Sequence, residues 1–118
     1  MLFELKAELS KEDILERVSS FDIFQMYCKN FEEVGKHFCS EFRIDKTPSC
    51  IIDEIRGDLM YSDFGYGLHI RAVDYVKLKF NLDFKDALEK IAEDFNLYKD
   101  YGNEKINKNN ININNNNN

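Results

Sequence analysis

The sequence predicts an α+β domain in which a small three-stranded antiparallel sheet is flanked by an N-terminal and a C-terminal helix pair. Three observations predict it. Apolar residues recur at helical spacing near both ends of the folded part, over residues 10–29 and 71–95. Between them the period shifts to short runs of apolar and aromatic residues. Those runs are separated by Arg56-Gly57-Asp58 and Gly65-Tyr66-Gly67, which read as turns.

Ser10-Lys11-Glu12-Asp13 reads as a helix start, with Ser10 as N-cap and an acidic first turn, and Ile14, Leu15 and Val18 supply a short apolar face. Ser19-Ser20 interrupts. Asp22 is expected to cap a second helix over residues 23–29, with Ile23, Phe24 and Tyr27 inward. The expected strands are Val34 to Phe38, Cys50 to Ile55 and Leu59 to Phe64, the last two joined as a hairpin through Gly57. A helix over residues 71–80 then turns Val73, Val76 and Phe80 inward, and Asp83 caps a last helix over 84–95 carrying Phe84, Leu88, Ile91 and Phe95. Residues 1–101 are assigned to this domain. Residues 102–118 form an Asn-rich tail with nothing to bury and are expected to be disordered.

The chain has 118 residues, enough for one modest core, and no apolar run long enough to cross a bilayer. Its start carries Glu4 and Glu8 with no apolar leader, so a cytoplasmic setting is expected, with no membrane partner. Cys28, Cys39 and Cys50 form an odd set without a Cys-x-x-Cys pair and read as reduced thiols. The formal net charge of −6 argues against a binder of nucleic acid driven by charge alone. Its distribution is uneven: residues 36–80 hold seven Lys/Arg and seven Asp/Glu and alone lack an acidic excess. Phosphate contacts, if made, are expected from Lys36, Arg43, Lys46, Arg56, Arg71, Lys77 and Lys79, whose alternative role is ordinary solvated surface.

Ser40-Glu41-Phe42-Arg43-Ile44-Asp45-Lys46-Thr47-Pro48-Ser49-Cys50 resembles the Cys-Pro-Phe-His-x-Glu-Lys-Thr-Pro-Ser-Phe signature of the N-terminal zinc-ribbon domain of bacterial and phage-type DNA primases. Farther on, Tyr61-Ser62-Asp63-Phe64-Gly65-Tyr66-Gly67 stands where that family has a strand ending Cys-Phe-Gly-Cys-Gly. Ala72-Val73-Asp74-Tyr75-Val76 and Phe84-Lys85-Asp86-Ala87-Leu88 are similar to its two closing helices. The resemblance spans about Ser10 to Leu97 and implies a zinc-ribbon-like sheet.

The departure is as informative as the match. The four family ligands fall on Ser40, Arg43, Asp63 and Tyr66, none of them Cys or His, so zinc is expected to be absent from that place. Phe42-Arg43 is similar to a phage and plasmid branch with Phe-Arg in place of Phe-His. An Arg43–Asp63 ion pair is the expected substitute for the metal, with Tyr66 filling the former metal volume and Ser40 bonding locally. The alternative is that both charges face water. A displaced metal site from His37, Cys39, Cys50 and His69, with Cys28 more distant, is the other possibility; the blander reading makes the thiols small buried apolar groups.

The resemblance implies a module that holds single-stranded DNA template during primer synthesis in DNA replication, with no catalytic residue of its own. A primase catalytic domain or a replicative helicase would be its partner. Expected DNA contacts are Lys46, Arg43, Arg56 and Arg71, with Tyr61, Tyr66 or Phe64 as stacking surfaces; Phe64 and Tyr75 also fit the core. For Lys46 the competing role is architectural, because Thr47-Pro48-Ser49 shapes a turn. The alternative function is a protein-interaction module that docks a replication or host protein, which the acidic balance favours. A third reading is a separately encoded or truncated primase segment whose Asn-rich tail once led to the catalytic domain, and the Asn, Lys, Ile and Phe content suggests an AT-rich phage or low-GC bacterial genome.

Overall fold

A computed structural model describes residues 9–97. The expectations for the N-terminal stretch before Leu9 and for the Asn-rich tail lie outside those residues. Among the described residues there are four helices and one sheet: α1 (Lys11–Arg17), α2 (Ser20–Tyr27), β1 (Cys50–Ile55), β2 (Asp58–Asp63), β3 (Leu68–Ile70), α3 (Ala72–Phe80) and α4 (Phe84–Asp94). The sheet is antiparallel in the order β1-β2-β3. This is a small α+β fold. The chain divides into two compact units, Val18–Ala87 and a smaller one built from residues on either side of it. No described helix is long and apolar enough to cross a membrane.

Local chemistry sets the helix starts. Ser10 and Asp13 exchange reciprocal bonds at the head of α1, the Ser10 hydroxyl accepting from the Asp13 amide at 3.1 Å and the Asp13 carboxylate from the Ser10 amide at 3.0 Å. Ser19 and Asp22 repeat this at α2. Asp22 is therefore the third residue of the helix and not its cap, a correction to the sequence expectation. The reason is that Ser19 lies three residues before a carboxylate, the spacing a capping box requires. Asp83 accepts from the Asp86 amide at 2.8 Å and starts α4 as expected.

The third strand differs from the one expected. Residues 34–38 contribute a single bridge, Phe38 to Cys50, and a turn at Gly35 occupies the rest. The segment Leu68–Ile70 takes the place beside β2, pairing Ile70 with Tyr61 and Leu68 with Asp63. In the hairpin, Ile55 pairs with Asp58 around Arg56 and Gly57, whose φ values of 57° and 85° are both positive. Only glycine enters that region without a steric penalty.

The core of the larger unit is aromatic. Phe24 and Tyr61 each pack edge-on against Tyr75, with ring centroids 5.7 Å and 4.9 Å apart, and Phe38 extends the cluster to Tyr61. Side chains alternate along a strand, so Tyr61 and Asp63 share the face that Cys50 and Ile52 present from β1. All four are buried. That parity carries an aspartate into the interior, and the site is built around it.

Candidate functional site

Asp63 is 1% exposed at the end of β2, and three donors converge on its Oδ1. Arg43 Nη2 donates at 2.5 Å, the Gly65 amide at 2.9 Å and the Tyr66 amide at 3.3 Å. Arg43 comes from the loop before β1. Its Nη1 meets Asp45 Oδ1 at 3.0 Å, and its Nη2 also donates to the Ser49 hydroxyl at 2.9 Å. Asp45 Oδ2 in turn accepts from the Ser40 amide at 2.9 Å and from the Ser49 hydroxyl at 3.1 Å. One guanidinium thus braces its own loop through Asp45 and ties that loop to the end of β2 through Asp63.

The charges are mutually reinforced. Asp63 beside the guanidinium raises the Arg43 pKa above its ordinary value, with Asp45 assisting against burial. The Ser40 amide holds the Asp45 carboxyl below its usual range, opposed by burial and assisted by Ser49 and Arg43. Arg43 Nε and Asp63 Oδ2 are buried without a hydrogen-bond partner. The ion pair expected between Arg43 and Asp63 is present. Tyr66 does not fill the interior: it is 64% exposed and lies as a lid, with Arg43 Cζ 4.6 Å from its ring centroid. Ser40 is buried, and its hydroxyl accepts locally from the Phe42 amide at 3.0 Å.

Zinc does not fit these four positions. A guanidinium has no lone pair to offer a metal, and here it already occupies Asp63. Among the described residues no group of three or more His, Cys, Asp or Glu gathers as a metal site. Within the alternative ligand set, Cys50 Sγ lies 3.3 Å from the Tyr61 hydroxyl and His69 Nδ1 lies 2.9 Å from the Ser62 hydroxyl. Cys28 and Cys50 are buried, whereas Cys39 is only partly so.

Of the residues expected to contact DNA, the structure separates two groups. Lys46, Arg43, Tyr66 and Phe64 lie at the Cys50–Asp63 end of the hairpin, whereas Arg56 and Arg71 lie at its tip. At a rise of about 3.3 Å per residue, the five steps along β1 set these ends roughly 16 Å apart. Lys46 and Arg56 are exposed, with no ion pair to a described residue. Arg71 is a structural staple instead: its Nη1 donates to the carbonyls of Ile55 and Asp58, each at 3.0 Å. Arg43 is enclosed by carboxylates and is not available to a phosphate. Tyr61 is 1% exposed and cannot stack on a base, which corrects that expectation; its parity in β2 turns it into the core. Phe64, also assigned to the core by the sequence, is 61% exposed because it lies past the end of β2.

Sequence reasoning missed Asp45, Ser49 and Gly65 as members of the clamp. The alternation Arg43-x-Asp45 was the available signal for Asp45. Gly65 is required by close approach: a Cβ there would collide with Arg43 Nη2 and lie 3.0 Å from Cζ. A second anchor was also missed. Glu41 accepts from the Lys29 amide at 2.8 Å and the Tyr75 hydroxyl at 2.7 Å, and pairs with Lys79 at 2.8 Å, which fastens the same loop to α3.

No family model matches this chain, and no curated protein or solved structure matches it.

Proposed function

We propose that the chain is a zinc-free, primase-like module that binds single-stranded DNA and is not catalytic by itself. The observation that carries this reading is the surface above the clamp. Phe64 and Tyr66, 61% and 64% exposed, flank Gly65, and Lys46, exposed and without an ion pair to a described residue, lies in the adjoining loop. Single-strand binding uses aromatic platforms for bases and isolated cations for phosphates, and this end of the hairpin offers both. The clamp holds those platforms in place: Asp63 takes the amides of Gly65 and Tyr66, and the Ser49 carbonyl takes that of Phe64 at 3.0 Å.

Fluorescence anisotropy with single- and double-stranded oligonucleotides across salt tests this. Salt-sensitive preference for single strands is expected. Tyr66→Ala should lose about 1–3 kcal/mol of binding, and Lys46→Ala should lower the salt slope by about 0.7. Absence of binding at low salt rejects the reading. A protein-docking function is favoured by one observation: Ile44, beside the same platforms, is 91% exposed. Oligonucleotide binding that is unchanged in Tyr66→Ala, together with partner capture lost in Ile44→Ser, would put that function first.

A further inference from the structure

From the geometry beside the clamp we infer that the cleft between the exit of α2 and the Pro48 turn is a phosphate-binding subsite. Its volume is about 330 Å³, within the range of ligand sites, and Lys29, Lys36, His37, Phe38 and Pro48 are among its walls. Two lysines and a histidine in one concavity stand out in a chain of net charge −6. Two lysines against one carboxylate leave the walls with a net positive charge, which favours an anion. The acidic wall residue, Glu32, is paired with Lys36 in a water-exposed bridge of the kind that contributes little stability. Lys29 has no ion pair to a described residue. The amide of Asn30's side chain is committed to the Cys39 carbonyl at 2.8 Å, which shapes the wall. Phe38 and Pro48 add apolar groups to the walls.

The cleft adjoins the proposed strand-binding surface. Pro48 lines it, and the next residue, Ser49, bonds the Phe64 amide. On the proposed path, a strand stacked on Phe64 and Tyr66 would continue past Lys46 and Pro48 and place a backbone phosphate in the cleft. This inference rests on the strand-binding reading for the source of the phosphate, which is either a phosphodiester or free phosphate.

Two titrations decide it, each with wild type, the double variant Lys29→Gln/Lys36→Gln and Tyr66→Ala. One follows oligothymidylate binding across salt by anisotropy; the other follows backbone amide shifts with inorganic phosphate. The double variant is expected to weaken oligonucleotide binding and to lower the salt slope by about 0.7 per cation removed. Phosphate should shift the His37 and Cys39 amides in wild type and not in the double variant. Unchanged affinity and slope in the double variant, with binding still lost in Tyr66→Ala, overturns the subsite and leaves strand binding standing. Phosphate shifts without oligonucleotide binding keep the subsite, assign it to free phosphate and reject strand binding. Neither response removes both.

Discussion

Arg43 Nη2 and Asp63 Oδ1 lie 2.5 Å apart, joining the loop before β1 to the end of β2 across twenty positions in the chain. Asp63 is almost wholly buried and Arg43 largely so, with side-chain exposures of 1% and 19%. Removing either partner leaves the other charge enclosed, which costs far more than the intact pair contributes. The pair therefore fixes loop geometry more than it adds net stability.

Gly65→Ala places a methyl group against the Arg43 guanidinium. It is expected to destabilise by about 1–3 kcal/mol, as overpacking does. Arg43→Ala should lower Tm as well. In the double variant most of the Gly65→Ala penalty should vanish, since its cause has been removed. A urea double-mutant cycle measures this; additive effects would show that the two residues do not meet.

Acid should loosen the loop that carries the clamp. Burial pushes the Glu41 carboxyl up, but Lys79, the Lys29 amide and Tyr75 together outweigh it and hold the group below its ordinary value of 4.5. Asp45 lies below its ordinary 3.8, chiefly through the Ser40 amide. A depressed folded-state pKa gives stability that is present above the unfolded value and lost as pH falls through the folded one. Urea midpoints should be flat from neutrality to about pH 5 and should drop below the ordinary carboxylate values. Glu41→Gln should be less stable at neutrality and show a shallower drop.

Restoring metal ligands tests whether the clamp occupies a metal position. In the combined variant Ser40→Cys, Arg43→His, Asp63→Cys and Tyr66→Cys, three thiolates and one imidazole should gather around one point. Cobalt(II) should then give the visible absorption of a tetrahedral thiolate site, and zinc should displace it. Wild type should give none. A variant that folds and still binds no cobalt would separate this fold from the zinc-ribbon resemblance.

Arg56 occupies a left-handed position at the hairpin tip, with φ of 57°. Arg56→Asn is expected to stabilise by about 0.5–1 kcal/mol, since Asn-Gly is the preferred pair for a turn with two positive φ values. Its effect on oligonucleotide affinity should be small, because the platforms lie at the other end of the hairpin. A large loss of affinity would place the DNA path along the sheet instead.

Much of the local architecture is written in adjacent residues. Ser10 with Asp13, Asp83 with Asp86, and the Arg56-Gly57 turn follow from rules that act over three or four positions, and the helices and the β1–β2 hairpin follow with them. The meeting of Arg43 and Asp63 was expected only from the resemblance to the zinc-ribbon family, which puts both on ligand positions of one metal. Only the tertiary structure decided which third segment joins the sheet. Residues 34–38 reach β1 only through the Phe38–Cys50 bridge, whereas residues 68–70, not expected as a strand, pair along the free edge of β2. It also decided the exchange of roles between Tyr61 and Phe64. Strand register fixes parity, so a single pairing, Ile52 opposite Tyr61, sends Tyr61 inward, while Phe64 lies beyond the last pair and stays outside. Asp45, Ser49 and Gly65 became parts of one clamp for the same reason: a guanidinium has donors to satisfy in several directions, and only the folded chain shows which groups surround it.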